Sequence, residues 1–117
     1  MIDGMRGITS HVLDASIGRP AAGVGVELEV LEAAGWVPAG AGLTDEDGRV
    51  GDLLPAGTEP SAATYRIRFD TGGYFGARGV ETFYPAVTVE FTVQTPGQHH
   101  HVPLLLSPFG YSTYRGS

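Results

Sequence analysis

Four histidines, one arginine and one serine are the residues of this chain whose types and positions could support catalysis. His11 lies in "TSHVLD", three consecutive histidines occupy positions 99–101, Arg49 follows the turn sequence "TDEDG", and Ser117 ends the sequence. An imidazole titrates near neutral pH and can accept a proton, and a guanidinium can bind carbonyl oxygens and anions. Taken singly, however, each is more often a structural histidine, a solvated arginine or a terminal serine.

The three consecutive histidines first suggest a metal site. On a strand, His99 and His101 lie on the same face, about 7 Å apart. A structural zinc site needs four ligands and a catalytic one usually needs three, so His11 or a carboxylate would have to complete the set. Solvated or hydrogen-bonded histidines at the start of a strand are the other interpretation, and the residues by themselves leave both open.

An alternation of apolar and polar residues predicts the strands that must position these groups. The segments "VGVELEVLEA", "TYRIRFD" and "AVTVEFTVQ" each have apolar residues on one face and polar or charged residues on the other. Three half-buried strands of this kind require a second layer to cover them. The residues expected to point inward are Val24, Val26, Leu28, Val30, Tyr65, Ile67, Phe69, Val87, Val89, Phe91 and Val93.

Shorter segments predict more strands, for a total of about seven or eight, separated by turns rich in glycine and proline. One short helix is predicted around "TGGYFGARG", where four glycines weaken it. The pattern is that of an all-β protein: an antiparallel β-sandwich of two sheets with one short helix, in a single domain over residues 1–117. The further strands are expected at "GITSHVLD", "WVPAGAGLT", "RVGDLL", "HHVPLLL" and "YSTYR".

The segment "HHHVPLLL" carries apolar residues on both faces of its predicted strand. His100, Val102, Leu104 and Leu106 share one face, whereas His101 shares the other with Pro103 and Leu105. A sandwich strand has one face in its own core, so the sequence predicts that Pro103 and Leu105 contact another subunit.

Composition limits the possible partners and location of the protein. The 13 acidic and 7 basic residues give a net charge of −6, which argues against nucleic acid and favours a small-molecule partner. All the basic residues are arginines, so no lysine is available for Schiff-base chemistry. The chain has no cysteine, which favours a cytoplasmic protein, and no segment approaches the roughly 20 apolar residues of a membrane span.

Four segments together resemble the transthyretin-like 5-hydroxyisourate hydrolases over nearly the whole chain. They are "HVLDASIGRPA", "TDEDGR", "FYPAVTVEFTV" and "HHHVPLLLSPFGYSTYRGS". The most specific piece is "YRGS", which distinguishes these enzymes from transthyretin, a hormone carrier of the same fold. The resemblance implies a transthyretin-like two-sheet sandwich and a homotetramer with active sites at the interface between dimers.

The resemblance also implies the roles of individual residues. It assigns catalysis to His11, Arg49, His101 and Ser117, and substrate binding to His11, Arg49, Tyr114 and Ser117, with no metal and no cofactor. His101 corresponds to the family's second catalytic histidine because it directly precedes "VPLLLSP". His99 has at most a supporting role. His100 departs from the tyrosine that the family usually has, which affects the face opposite His101.

The implied reaction is the hydrolysis of 5-hydroxyisourate, the product of urate oxidation, to 2-oxo-4-hydroxy-4-carboxy-5-ureidoimidazoline on the route to allantoin. One histidine would activate water while the other orients it or returns the proton, and the sequence does not decide between them. Arg49 would stabilise the oxyanion, and Ser117 would position water or substrate through its hydroxyl or a terminal carboxylate.

Two rival functions remain on the sequence alone. One is a transthyretin-type binding module that carries a small hydrophobic ligand in a channel between subunits. The other is a structural protein that binds zinc, nickel or copper through the histidine run. Retention of metal by untagged protein would favour the second, and failure to accelerate decay of 5-hydroxyisourate would favour the first.

Overall fold

The structure is a computed structural model that describes residues 7–117. In this part of the chain, nine strands form two sheets, and one short helix follows the sixth strand. The elements are β1 (Ile8–Asp14), β2 (Arg19–Pro20), β3 (Gly25–Glu32), β4 (Gly35–Leu43), β5 (Arg49–Val50), β6 (Ala63–Phe69), α1 (Thr71–Ala77), β7 (Val87–Val93), β8 (His100–Ser107) and β9 (Gly110–Thr113).

The two sheets pack as the predicted sandwich. The first has the strand order β2-β1-β8-β9, with β5 also paired to β1, and the second has the order β4-β3-β6-β7. Neighbouring strands run antiparallel except for β1 and β8, which are parallel. This parallel pair differs from the all-antiparallel expectation, because alternation defines the face of a residue but not the direction of the neighbouring strand.

The predicted inward faces are confirmed. Val26, Leu28 and Ile67 are almost completely buried between the sheets, as are Phe69 and Val93. At the margins, Val30, Val89 and Phe91 are half-buried and pack against the same core. Burial of these apolar side chains supplies the main driving force for assembling the two layers.

The predicted helix is confirmed as α1, of seven residues. The Asp70 side chain caps its start by accepting a hydrogen bond from the Gly73 amide at 3.0 Å. Tyr74 and Phe75 are buried, and the Tyr74 hydroxyl donates to Oδ2 of Asp14 at 2.7 Å, which joins the helix to the end of β1. No helix among residues 7–117 has the length and apolar character needed to cross a membrane.

Three findings add to or correct the expectations. The two-residue strand β2 was not predicted, because Arg19–Pro20 has no alternating pattern. Pro103 is already buried within its own chain beneath the segment around Gly116, whereas Leu105 is half-buried, and the contact of these residues with another subunit stays a prediction. The predicted single domain includes residues 1–6, which lie outside the described residues.

Candidate active site

Strand register brings the predicted site residues to the outer face of the first sheet. In the parallel pair β1–β8, Thr9 lies beside His101 and His11 lies beside Pro103. In the antiparallel pair β1–β5, His11 lies opposite Arg49. Alternation turns the intervening side chains towards the core, so Thr9, His11, Arg49 and His101 share the face that points away from it.

The turn before β5 fixes the position of Arg49. Oδ1 of Asp45 accepts hydrogen bonds from the backbone amides of Asp47 and Arg49, both at 2.9 Å. Gly48 closes the turn with a φ of +76°, and a Cβ there would lie 2.3 Å from the Val12 carbonyl oxygen. Glycine is therefore required at this position, and the "DEDG" motif docks the turn directly onto β1.

His11 is held by the same turn. Its Nε2 lies 2.8 Å from the backbone carbonyl oxygen of Asp47. A carbonyl oxygen can only accept, so Nε2 carries a proton. In the neutral ring, Nδ1 of His11 is therefore the nitrogen that can accept a proton.

His99 and His101 share one threonine. Oγ1 of Thr9 lies 2.7 Å from Nδ1 of His101 and 2.8 Å from Nε2 of His99. The two imidazole rings are close to parallel, with an interplanar angle of 28° and 6.1 Å between their centroids. Alternation along β1 places Thr9 on the same face as His11. The sequence analysis did not predict Thr9 as a site residue, because a single threonine on a strand is common.

The pKa of His101 lies below its ordinary value of 6.5, chiefly because burial disfavours the charged ring. Positive charge on His99, Arg49 and His11 lowers this pKa further. Burial and the neighbouring His100 also lower the pKa of His99, and the Asp52 carboxylate partly opposes them. Both rings are therefore neutral at physiological pH, and a neutral imidazole is the form that accepts a proton.

The C-terminal segment lies against His101. The Gly116 amide donates to the backbone carbonyl of His101 at 2.9 Å. A Cβ at Gly116 would lie 2.6 Å from Cδ2 of His101 and 3.2 Å from Cγ of Pro103. Only glycine lets the chain approach this closely, and the approach brings Ser117 to the cavity beside His101.

A cavity of about 240 Å³ opens on this face. It brings together Arg49, His101 and Ser117 from three distant parts of the sequence. His11 lies next to Arg49 but does not line the cavity. The lining residues that the sequence analysis did not assign to the site are Thr9, Ser10, Val50, Gly51 and His99.

Tyr114, predicted to bind substrate, does not line the cavity of Arg49 and Ser117 but borders a different one, which His101 also lines. Its side chain is 58% exposed and borders a second cavity of about 220 Å³, between β7 and the β8–β9 pair. Phe91 and Val102 also border that cavity. The substrate contact of Tyr114 therefore stays a prediction.

His100 lies on the core side of β8, as alternation predicted. It is 5% exposed, and its Nδ1 donates to the Gln98 carbonyl oxygen at 2.7 Å, so its polar ring is accommodated on the core side of the strand. Within the described range, 7–117, no three or more His, Asp or Glu side chains cluster as ligands of a metal ion.

Fold and site together define a transthyretin-like β-sandwich with a histidine- and arginine-lined cavity on the outer face of one sheet. Residues 8–116 match the HIUase/Transthyretin family, and the chain belongs to that family.

Known proteins similar to this chain include both 5-hydroxyisourate hydrolases and transthyretins. A 5-hydroxyisourate hydrolase of Salmonella dublin is 47% identical over 94% of this chain and 80% of its own length. The structure of Klebsiella pneumoniae 5-hydroxyisourate hydrolase superposes with a TM-score of 0.80 at 32% identity, covering 97% of this chain and 94% of that one. Sea bream transthyretin in complex with thyroxine superposes with a TM-score of 0.86, also at 32% identity, covering 93% of each chain.

Proposed function

We propose that this protein is a 5-hydroxyisourate hydrolase, which opens the six-membered ring of its substrate to give 2-oxo-4-hydroxy-4-carboxy-5-ureidoimidazoline during urate degradation. The observation that carries the proposal is the cavity shared by Arg49, His101 and Ser117. The hydrolases among its relatives support the same substrate. The fold alone does not support this substrate, because sea bream transthyretin in complex with thyroxine has the same fold.

In the proposed mechanism, His101 is the general base. It lines the cavity and its lowered pKa keeps the ring neutral, so one nitrogen can take a proton from the attacking water. Hydroxide then adds to the acyl carbon, and the bond from that carbon to the ring nitrogen breaks. The departing nitrogen takes up a proton, which leaves the ring opened and the histidine neutral again.

Arg49 and the remaining polar groups complete the scheme. The guanidinium, whose neighbour across the strands is His11, binds the substrate oxygens and stabilises the oxyanion that forms when water adds. Nδ1 of His11, the ring nitrogen not bonded to Asp47, orients substrate or water, and the Ser117 hydroxyl holds a water in the cavity. No metal or cofactor takes part.

We propose that the enzyme works as a homotetramer with each active site at the interface between dimers, where Tyr114 reaches substrate. Exposed apolar side chains support subunit contact at one end of the first sheet. The parallel strands β1 and β8 end side by side there, and the turns that follow them expose Ile17 (43%) and Phe109 (66%). Light scattering after size exclusion is expected to give the mass of four chains.

The proposal further comprises a single domain over residues 1–117 and a cytoplasmic location. A chain without cysteine gains nothing from an oxidising compartment, which favours the cytoplasm. Fractionation of cells that express the native gene tests the location.

The function is tested by generating 5-hydroxyisourate from urate with urate oxidase and following its ultraviolet absorbance. Untagged protein is expected to accelerate the decay strongly, with or without a chelator. The His101→Asn variant provides the matched control. Decay at the spontaneous rate with folded protein would refute the proposal and favour a carrier, whereas loss of activity with chelator would refute the metal-free mechanism.

A further inference from the structure

The hydroxyl of Thr9 couples the protonation of two histidine rings. Its Oγ1 is within hydrogen-bond distance of both Nδ1 of His101 and Nε2 of His99. A hydroxyl has one proton and two lone pairs, so between two neutral rings it either donates to one nitrogen and accepts from the other, or accepts from both. Three arrangements therefore satisfy both contacts. Two of them place the proton of His101 on Nδ1, and the third, in which Oγ1 donates to His101, places it on Nε2.

We propose that Thr9 is a positioning residue that fixes His101 in the tautomer required of a base. In this arrangement Oγ1 accepts from the Nδ1–H of His101 and donates to Nε2 of His99. The lone pair of His101 is then on Nε2, which has no hydrogen-bond partner within residues 7–117. This choice of direction rests on the proposed function, because the reverse arrangement would protonate Nε2 and leave His101 unable to accept a proton from water.

The surroundings hold the hydroxyl in place. Thr9 is 8% exposed, and its backbone is fixed in the β1–β8 ladder directly beside His101, so its side chain has little freedom to turn away. It has the same relation to His101 that an orienting group has to the base in hydrolases with a catalytic histidine. His99 in turn supplies the acceptor that the Thr9 proton needs.

The charges around the two rings favour a neutral resting state. Besides burial, charges on His99, Arg49 and His11 oppose protonation of His101. Burial and His100 oppose protonation of His99, whereas Asp52 favours it. With both rings neutral, each has one protonated nitrogen, and the Thr9 hydroxyl decides which nitrogen that is on His101.

Nuclear magnetic resonance tests the direction of the hydrogen bond between Thr9 and His101 without any assay of activity. Long-range proton–nitrogen spectra distinguish the two imidazole tautomers, and the sequence has only 4 histidines, which single substitutions can assign. Above about pH 8, where histidines are neutral, we expect His101 to carry its proton on Nδ1. His11, whose Nε2 donates to Asp47, is the internal reference for the opposite tautomer. A proton on Nε2 of His101 would overturn the proposal.

Substitution of Thr9 tests the consequence for catalysis. Thr9→Val keeps the shape and removes the hydroxyl, so His101 should populate both tautomers and kcat/KM should fall about tenfold, the effect of one ordinary hydrogen bond. Thr9→Ser should restore both the tautomer and the rate. Thr64→Val, the same change on β6 in the other sheet, should alter neither, and circular dichroism should show all three variants folded.

The outcomes separate this inference from the proposed function. If Thr9→Val keeps the wild-type tautomer of His101 and the wild-type rate, Thr9 is not a positioning residue. If the wild-type protein has the expected tautomer but does not hydrolyse 5-hydroxyisourate, the function is refuted while the hydrogen-bond direction stands.

Discussion

His11 and Arg49 lie directly opposite each other in the antiparallel pairing of β1 and β5. One backbone register therefore places an imidazole beside a guanidinium on the outer face of the sheet, although the three strands β2, β3 and β4 separate the two residues in the sequence. The Asp45 side chain and the Asp47 carbonyl, both in one turn, hold the two residues in this relation.

Loss of the guanidinium should impair the chemical step more than folding. We expect Arg49→Ala to lower kcat/KM about a hundredfold or more, since removal of one oxyanion donor typically costs that much. Arg49→Lys should recover little, because an ammonium does not reproduce the planar pair of donors. The control is Arg68→Ala, a change at an exposed arginine of β6 in the other sheet. Full activity of Arg49→Ala would refute the assigned site.

Removal of the imidazole of His101 or of His11 should strongly lower the catalytic efficiency. His101→Asn and His11→Asn are each expected to lose about two or more orders of magnitude in kcat/KM, the usual contribution of a positioned acid or base. His101→Asn should mainly lower kcat, because it removes the proton acceptor. Stopped-flow turnover of freshly generated substrate separates kcat from KM. Wild-type kinetics in either variant would exclude that residue from catalysis.

The rate should decline in acid with a midpoint below pH 6.5. Burial and nearby positive charge lower the pKa of His101, so the ring stays neutral until the pH falls below the ordinary histidine range. Activity is then retained above that pKa and lost as the pH falls through it. A profile of kcat/KM from about pH 5 to 8 tests this. A flat profile, or a midpoint at or above 6.5, would contradict a buried histidine base.

Gly116 should tolerate no side chain. The added Cβ of Gly116→Ala would lie 2.6 Å from Cδ2 of His101, so the ring or the C-terminal segment must move. We expect at least a tenfold loss in kcat/KM, since small misplacements of reacting groups cost that much, with an unchanged circular dichroism spectrum. Gly110→Ala on β9 is the matched control, because its Cβ would meet Ser107 Oγ at an ordinary 3.7 Å. Equal activities of the two variants would contradict the steric argument.

The hydrogen bond from Tyr74 to Asp14 should stabilise the sandwich. Tyr74→Phe leaves the buried carboxylate without this donor, and we expect the free energy of unfolding to fall by about 1.5–3 kcal/mol in urea denaturation. The exposed Tyr111→Phe is the control and should change it little.

Alkaline titration gives a second measurement on Tyr74. Burial, followed by the hydrogen bond and the negative charge of Asp14, raises the pKa of Tyr74 from 10.0 to about 12. Its contribution to stability should therefore be complete below pH 10 and lost as the pH rises towards 12. Ionisation of all tyrosines near pH 10 in the folded protein would contradict this.

The sequence predicted which face of each strand is buried better than it predicted how the strands pair. Alternation correctly assigned Val26, Ile67 and Val93 to the core, because a period of two depends only on which face is buried. It did not predict that β1 and β8 run parallel, because pairing depends on contacts between distant segments.

The site was predicted in outline and completed by the structure. Family motifs indicated Arg49, His101 and Ser117, which the fold brings to one cavity. Thr9 and the Asp47 carbonyl were missed, since a threonine on a strand is common and a backbone oxygen has no sequence motif. Tyr114 came from the motif alone, and this chain positions it at another cavity.

The parallel pairing of β1 and β8 has a consequence for folding. It joins the start of the described chain to a strand near its end, so Thr9 and His101 can meet only after all the intervening residues have been synthesised. Contacts between such distant segments raise contact order and slow folding. During translation, the second sheet can therefore form before the surface that carries His101, and a ribosome-bound chain that stops short of β8 would lack the proposed base.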